Sequence, residues 1–193
     1  EDAIGFTGFN LDTALSILIR NDTIPEQVRD QLLVQGAGIV LDPVNGHILG
    51  MIGGREEDIY WDHFNRATQA KRQPGSVFKP FIYLTTLEEG YSSCTQLLNQ
   101  PLVFFIDDTT RWNPQNHDGS TGLLTTLRYG LKKSLNLISV RIVQELVTPR
   151  QVVNKAKSFN LSTNIAPVNA IALGVSDVIP LEITLAYAAI ANK

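Results

Sequence analysis

Cys94 is the single cysteine, so no disulfide can close within the chain and cysteine usage leaves the compartment open. No run of about 20 apolar residues occurs, so nothing in these residues is expected to span a membrane. There is no basic cluster and the net charge is −3, which argues against a nucleic-acid surface. No Cys, His or carboxylate cluster at metal spacing surrounds His47. That residue is therefore read as solvated at a turn, and neither metal nor cofactor is expected. Neither a methionine nor a signal segment stands at Glu1, and the chain reads as an excised or processed piece.

What is present is a globular composition, with 44% hydrophobic and 18% charged residues over 193 positions. That suits one domain, or a domain plus a leader, with a sizeable core. Residues 1–34 read as leader or linker helices, about 11–20 and 25–33, the second with Thr23 as N-cap and Pro25 in its first turn. From residue 35 the pattern becomes strand, turn, strand. Residues 37–41 and 47–52 flank Asp42-Pro43-Val44-Asn45-Gly46, where Asn-Gly tolerates positive φ and signals a hairpin. Gly53 and Gly54 then open a polar loop carrying Tyr60, Trp61, His63 and Phe64.

Arg72-Gln73-Pro74-Gly75-Ser76-Val77-Phe78-Lys79-Pro80 is the stretch with chemistry in it. A helix opening at Pro-Gly puts Ser76 and Lys79 on one face, roughly 5–6 Å apart at Cβ. The first turn adds free N–H groups and about half a positive charge beside Ser76. A hydroxyl next to an amine there suits acyl transfer, in which the serine loses a proton and the attacked carbonyl becomes an oxyanion. The apolar residues Phe78, Phe81, Ile82, Leu84 and Leu87 make this a core helix ending near Gly90, which buries Lys79 at least partly. A neutral Lys79 could act as base; a charged Lys79 held by a carboxylate would be structural.

Downstream, residues 92–122 read as loop with a short strand at 102–106. Trp112-Asn113-Pro114-Gln115-Asn116-His117-Asp118-Gly119 follows, either lining a binding groove or forming a surface excursion. Residues 123–131 and 137–146 read as helices, and the break between them presents Ser134-Leu135-Asn136 on a rigid scaffold. A helix at 150–159 follows Pro149. Ile171-Ala172-Leu173-Gly174 then leads to a last helix at 180–191, with Leu181, Leu185 and Ala189 on its expected inner side and Glu182 in its first turn.

Three of these stretches, in this order, resemble the transpeptidase domain of penicillin-binding proteins, closest to the bifunctional, high-molecular-mass class A. They are Arg72 to Pro80, Ser134-Leu135-Asn136, and Ala172-Leu173-Gly174 leading into Pro180-Leu181-Glu182. Phe64-Asn65-Arg66-Ala67 and Trp112-Asn113-Pro114-Gln115-Asn116 resemble it too. The resemblance covers 35–193 and implies an α+β fold of the serine β-lactamase and penicillin-binding-protein type, a helical cluster on an antiparallel sheet, present in part. It implies acyl transfer to Ser76 from the D-alanyl-D-alanine end of a peptidoglycan stem peptide, attack by a neighbouring stem's amine, and acylation by β-lactams. Ser76 would be nucleophile and half of the oxyanion hole through its N–H, Lys79 the base, and Ser134 a proton shuttle to the leaving amine. Asn136, with Trp112 and Asn116, would bind substrate. Implied around the chain are a glycosyltransferase domain upstream, a membrane anchor outside these residues and an extracytoplasmic location.

The family's Lys-Thr/Ser-Gly triplet, which would bind the substrate carboxylate, does not occur in these residues. The resemblance places its strand beyond Lys193, so the chain alone is expected not to cross-link peptidoglycan and to acylate weakly. A serine β-lactamase is the nearest enzyme alternative, but the Glu-x-x-Leu-Asn loop of the common type is absent downstream of Ser134. A non-catalytic β-lactam sensor is the other.

Overall fold

Asn45 and Gly46 turn the chain back on itself as their residue types predict. Gly46 sits at φ +74°, and Asn45 Oδ1 accepts the His47 N–H at 2.8 Å. The turn joins β1 (Gly38–Leu41) to β2 (Ile48–Ile52) as an antiparallel hairpin, Gly38 opposite Ile52, with a bulge between Val40 and Leu41. His47 is exposed, as expected. The computed structural model describes residues 35–54, 64–105 and 111–192, and Ala37–Lys193 forms one compact unit. The expected leader helices, and Tyr60, Trp61 and His63, lie outside the described residues.

The helix expected from Ser76 begins as a 3-10 turn, Gly75–Phe78, and becomes α1 (Lys79–Glu88) from Lys79 onward. Pro80 falls in the first turn of α1, where its missing N–H costs no intrahelical bond. Gly90, at φ +93°, ends the run. Thr85 and Thr86 are buried because each hydroxyl donates back to a carbonyl four residues earlier, Phe81 O at 2.7 Å and Ile82 O at 2.8 Å.

Residues 123–131 are a strand followed by a helix, not one helix. β3 (Gln96–Leu98) pairs antiparallel with β6 (Leu124–Thr126), and α2 (Leu127–Lys132) starts only after Thr126. Two consecutive β-branched threonines favour the extended backbone. Thr126 then caps α2 by accepting the Tyr129 N–H at 3.2 Å. Between these strands, β4 (Phe104–Phe105) pairs with β5 (Arg111–Trp112), so the strand expected at 102–106 is found at its centre.

The helix expected at 137–146 is α3 (Asn136–Arg141) running into a π-helical turn, Ile142–Leu146. α4 (Pro149–Ser158) opens with a reciprocal cap: Thr148 Oγ1 accepts the Gln151 N–H at 3.3 Å, and Gln151 Oε1 accepts the Thr148 N–H at 2.8 Å. A 3-10 turn, Asn169–Leu173, precedes α5 (Pro180–Ala191), whose bounds match the sequence reading. Its inner face does not match. Ile183 and Ala186 are buried, while Leu185 and Ala189 are exposed. α5 is apolar on every side, so its periodicity could not select a face.

The fold is α+β. Among the described residues the strands form three two-stranded antiparallel sheets, and the helices carry the core. α1 packs against α4, α2, α3 and the π-helical turn, and α5 packs on β1. Phe81 is the hub: its ring lies 5.2 Å from Phe78, 5.6 Å from Phe159 and 6.4 Å from Tyr187. Among the described residues no helix is long and apolar enough to cross a membrane.

Candidate active site

Two glycines set the turn that carries Ser76. Gly75 (φ +57°) and Gly174 (φ +66°) both occupy the left-handed region, and Gly75 N–H donates to Gly174 O at 3.2 Å. A Cβ on Gly174 would lie 2.1 Å from Gly75 O, so only glycine permits this approach. Arg72 and Val178 exchange backbone hydrogen bonds of 3.1 and 2.9 Å alongside it. Tyr187 Oη donates to Val77 O at 2.7 Å. The turn carrying Ser76 is thus pinned from α5 and from the chain leading into it, which gives Ala172-Leu173-Gly174 a physical reason to accompany the serine motif.

Ser76 is exposed, and among the described residues its hydroxyl makes no hydrogen bond. It sits one residue into the helical run, with its N–H at the positive end. Three residues on, Lys79 is 1% exposed. Its ammonium does not bond Ser76 as the spacing suggested. Instead Nζ donates to Ser134 O at 2.6 Å, to Ser134 Oγ at 3.1 Å and to Asn136 Oδ1 at 2.7 Å. Burial pulls its pKa down to about 8. Among the described residues no carboxylate holds it: these three partners are neutral oxygens. Three acceptors match the three donors of an ammonium, and the lowered pKa makes loss of a proton accessible near neutral pH.

Ser134 stands where glycine is usual. It is the left-handed residue after α2, at φ +54°. Its N–H donates to Leu131 O at 3.0 Å, and the Leu135 N–H donates to Gly130 O at 2.8 Å, the paired bonds of a glycine-type helix stop. A side chain kept in that conformation costs of order 1 kcal/mol or more, and such strain concentrates at functional sites. The result is a hydroxyl aimed at Lys79 from the start of α3.

Asn136, the first residue of α3, turns its Oδ1 to Lys79 and donates through Nδ2 to Gln115 O at 2.8 Å. Asn116, next to Gln115, is buried. It accepts the Leu137 N–H at 3.0 Å and donates to Asn99 Oδ1 at 2.9 Å and Ser120 O at 2.7 Å. Both Asn116 N–H bonds are therefore used inside the protein. Trp112 stacks on Phe104 at 5.0 Å and packs against the core.

Ser76, Ser134 and Asn136 open onto one cleft of about 460 Å³, shared with Asn116, His117, Asp118 and Lys133. Trp112 is not among its walls. The Ser120 hydrogen bonds hold the Asp118 carboxyl below its usual range. Sequence reasoning missed Asn99, Lys133 and the Gln115 carbonyl. Only the polar run after Trp112 hinted that this loop meets the Ser134 turn.

Residues 36–193 match the family description "Penicillin binding protein transpeptidase domain". The chain is 35% identical over 181 residues to Penicillin-binding protein 1A of Neisseria lactamica, covering 91% of this chain and 22% of that protein. It is 38% identical over 162 residues to Penicillin-binding protein 1A of Pseudomonas aeruginosa, covering 82% and 19% respectively. The chain thus spans about a fifth of the relatives it matches. The crystal structure of Penicillin-Binding Protein 1A from Haemophilus influenzae superposes with a TM-score of 0.72 at 32% identity, over 80% of this chain and 23% of that one. PonA1 from Mycobacterium tuberculosis, at 23% identity and a TM-score of 0.68 over 92% of this chain and 55% of that one, shares the fold. With the family description matching most of the chain and the paired serine turns on one cleft, this chain belongs to the penicillin-binding protein transpeptidase domain family.

Proposed function

We propose that the protein carrying this chain is a peptidoglycan D,D-transpeptidase working through an acyl-Ser76 intermediate. One observation carries the reading: an open serine in a helix first turn shares a cleft with Ser134 and Asn136, and both of these hold the buried Lys79 ammonium. The deprotonated Lys79 amine takes the Ser76 proton as Oγ attacks the carbonyl carbon of the penultimate D-alanine. The oxyanion forms beside the Ser76 N–H. When the peptide C–N bond breaks, the proton passes from Lys79 through Ser134 Oγ to the departing D-alanine amine. A neighbouring stem's amine then attacks the ester, and Ser76 leaves with its proton restored along the same path. Asn136 keeps one N–H free of Gln115 and offers it to the substrate peptide. A β-lactam enters by the same attack, its ring C–N bond opening to leave an acyl-Ser76 ester.

The reading includes an extracytoplasmic location, a membrane anchor and a glycosyltransferase domain in the parent protein, supported by the likeness to Penicillin-binding protein 1A. It also holds that these 193 residues alone acylate weakly and do not cross-link, because they lack the Lys-Thr/Ser-Gly strand. Labelling with a fluorescent penicillin tests both parts. The longest natural chain carrying these residues should label strongly, and Ser76→Ala should abolish it. Labelling that survives Ser76→Ala overturns the acyl-Ser76 reading, and strong labelling of the 193-residue chain overturns its incompleteness. In the labelled enzyme, transfer to an added amine rather than β-lactam turnover separates a transpeptidase from a hydrolase.

A further inference from the structure

α3 begins without a cap of its own. Its N-cap position is Leu135, which has no side-chain oxygen, and no side-chain hydrogen bond is made from it. A helix start at a catalytic cleft needs its first N–H groups satisfied. Here the acceptor comes from 21 residues earlier in the chain: Asn116 Oδ1 takes the Leu137 N–H at 3.0 Å. The tie runs both ways, since Asn136 Nδ2 donates to Gln115 O at 2.8 Å. Each segment uses a side-chain amide to hold the other's backbone.

Asn116 is itself held. It is 5% exposed and donates to Ser120 O at 2.7 Å and to Asn99 Oδ1 at 2.9 Å; Asn99 is 6% exposed. Asn99 follows β3, and its backbone is tied to the strand side of the loop by Asn99 N–H to Leu123 O at 3.2 Å and Gly122 N–H to Asn99 O at 2.8 Å. Two amides buried this deeply are retained only if their hydrogen bonds are made. The line of contact therefore runs from the β3–β6 sheet through Asn99 and Asn116 to the start of α3, and from Asn136 Oδ1 to Lys79 Nζ at 2.7 Å.

We infer that Asn99 and Asn116 are positioning residues for the reaction: this buried amide pair caps α3 from outside and thereby fixes Asn136 against Lys79. Asn116 then acts through Asn136 and is not a contact for the substrate. The inference rests on the acyl-Ser76 reading above.

A double-mutant cycle tests it, with the acylation rate by a fluorescent penicillin measured in the longest natural chain carrying these residues. Asn116→Ala should slow acylation by roughly 10- to 100-fold, the scale on which small misplacements of a reacting group are felt. Asn99→Ala, which removes only the outer link, should slow it several-fold, about threefold or more. Asn116→Ala combined with Asn136→Ala should be no slower than Asn136→Ala alone, to within about threefold, because the two act as one unit. Losses that multiply, or an Asn116→Ala rate within about twofold of wild type, overturn the inference. Thermal melting identifies a variant that has not folded. If Asn116→Ala is such a variant, Asn99→Ala replaces it in the cycle under the same criterion. Labelling that persists in Ser76→Ala would bring down the acyl-Ser76 reading instead, so the two failures are distinguishable.

Discussion

The helix that follows Ser76 and the N-terminal hairpin are both rich in apolar residues but differ in what covers them. In the first, Phe78, Phe81 and Ile82 are at most 1% exposed. In the hairpin Val40, Leu49 and Ile52 are 58, 68 and 64% exposed, and no residue of either strand is buried. The helix finds neighbours within the chain on several sides, whereas the hairpin has α5 on β1 and, among the described residues, no third strand. A two-stranded ribbon is marginal alone, and strands apolar on both faces suit a sheet covered on both. Composition therefore says which surfaces can be buried, and only partners decide which are. Ser76, Lys79, Ser134 and Asn136 all stand on the covered, helical side of this contrast.

The sharpest way to break this contrast is at its hub. Phe81→Ala removes the ring shared by Phe78, Phe159 and Tyr187, and should destabilise the chain by about 3–5 kcal/mol in urea unfolding. A cost below about 1 kcal/mol would mean that the helical half does not hold the fold.

Next in size is the charge buried in that half. Lys79 falls to about 8 from the ordinary value of 10.5. Its folded value is depressed, so between those limits the unfolded chain keeps a proton that the folded chain has released, and stability rises with pH; below pH 8 the buried ammonium costs its full desolvation. From pH 7.5 to 9.5 the wild-type chain should gain roughly 2 kcal/mol that Lys79→Met does not. Parallel pH dependences in the two proteins would assign the effect elsewhere. The smallest effect belongs to the hairpin: Leu49→Ala should change stability by no more than about 0.5 kcal/mol. A cost near that of Phe81→Ala would show Leu49 covered and erase the contrast.

Elements with local chemical punctuation were legible from residues alone. Asn45-Gly46 located the hairpin, Pro180 opened α5, Pro149 marked the start of α4 and Gly90 closed α1. Elements without it were not. β3 and β6 are three residues each, too short to display a period of two, so residues 123–126 read in sequence as part of a helix. The site divides the same way. Ser76, Lys79, Ser134 and Asn136 carry recognisable spacing. The partner of Lys79 does not: proximity along the helix suggested Ser76, while the folded chain brings Ser134, 55 residues away, to the amine. Asn116 has the residue type of a ligand contact, and only the fold shows its Oδ1 accepting the Leu137 N–H.

The sequence alone determined which candidate groups are present: a serine at a helix start, an amine three residues on, and a second hydroxyl and amide in a turn between helices. It also determined the family, because order and spacing of such motifs survive without knowledge of contacts. Tertiary structure decided what each group touches. The Gly174 backbone fits against Gly75 only in the fold, and Lys79 loses its water there and receives three neutral oxygens. Hydrogen bonds and desolvation act over a few ångströms between residues tens of positions apart, a distance that sequence spacing does not measure.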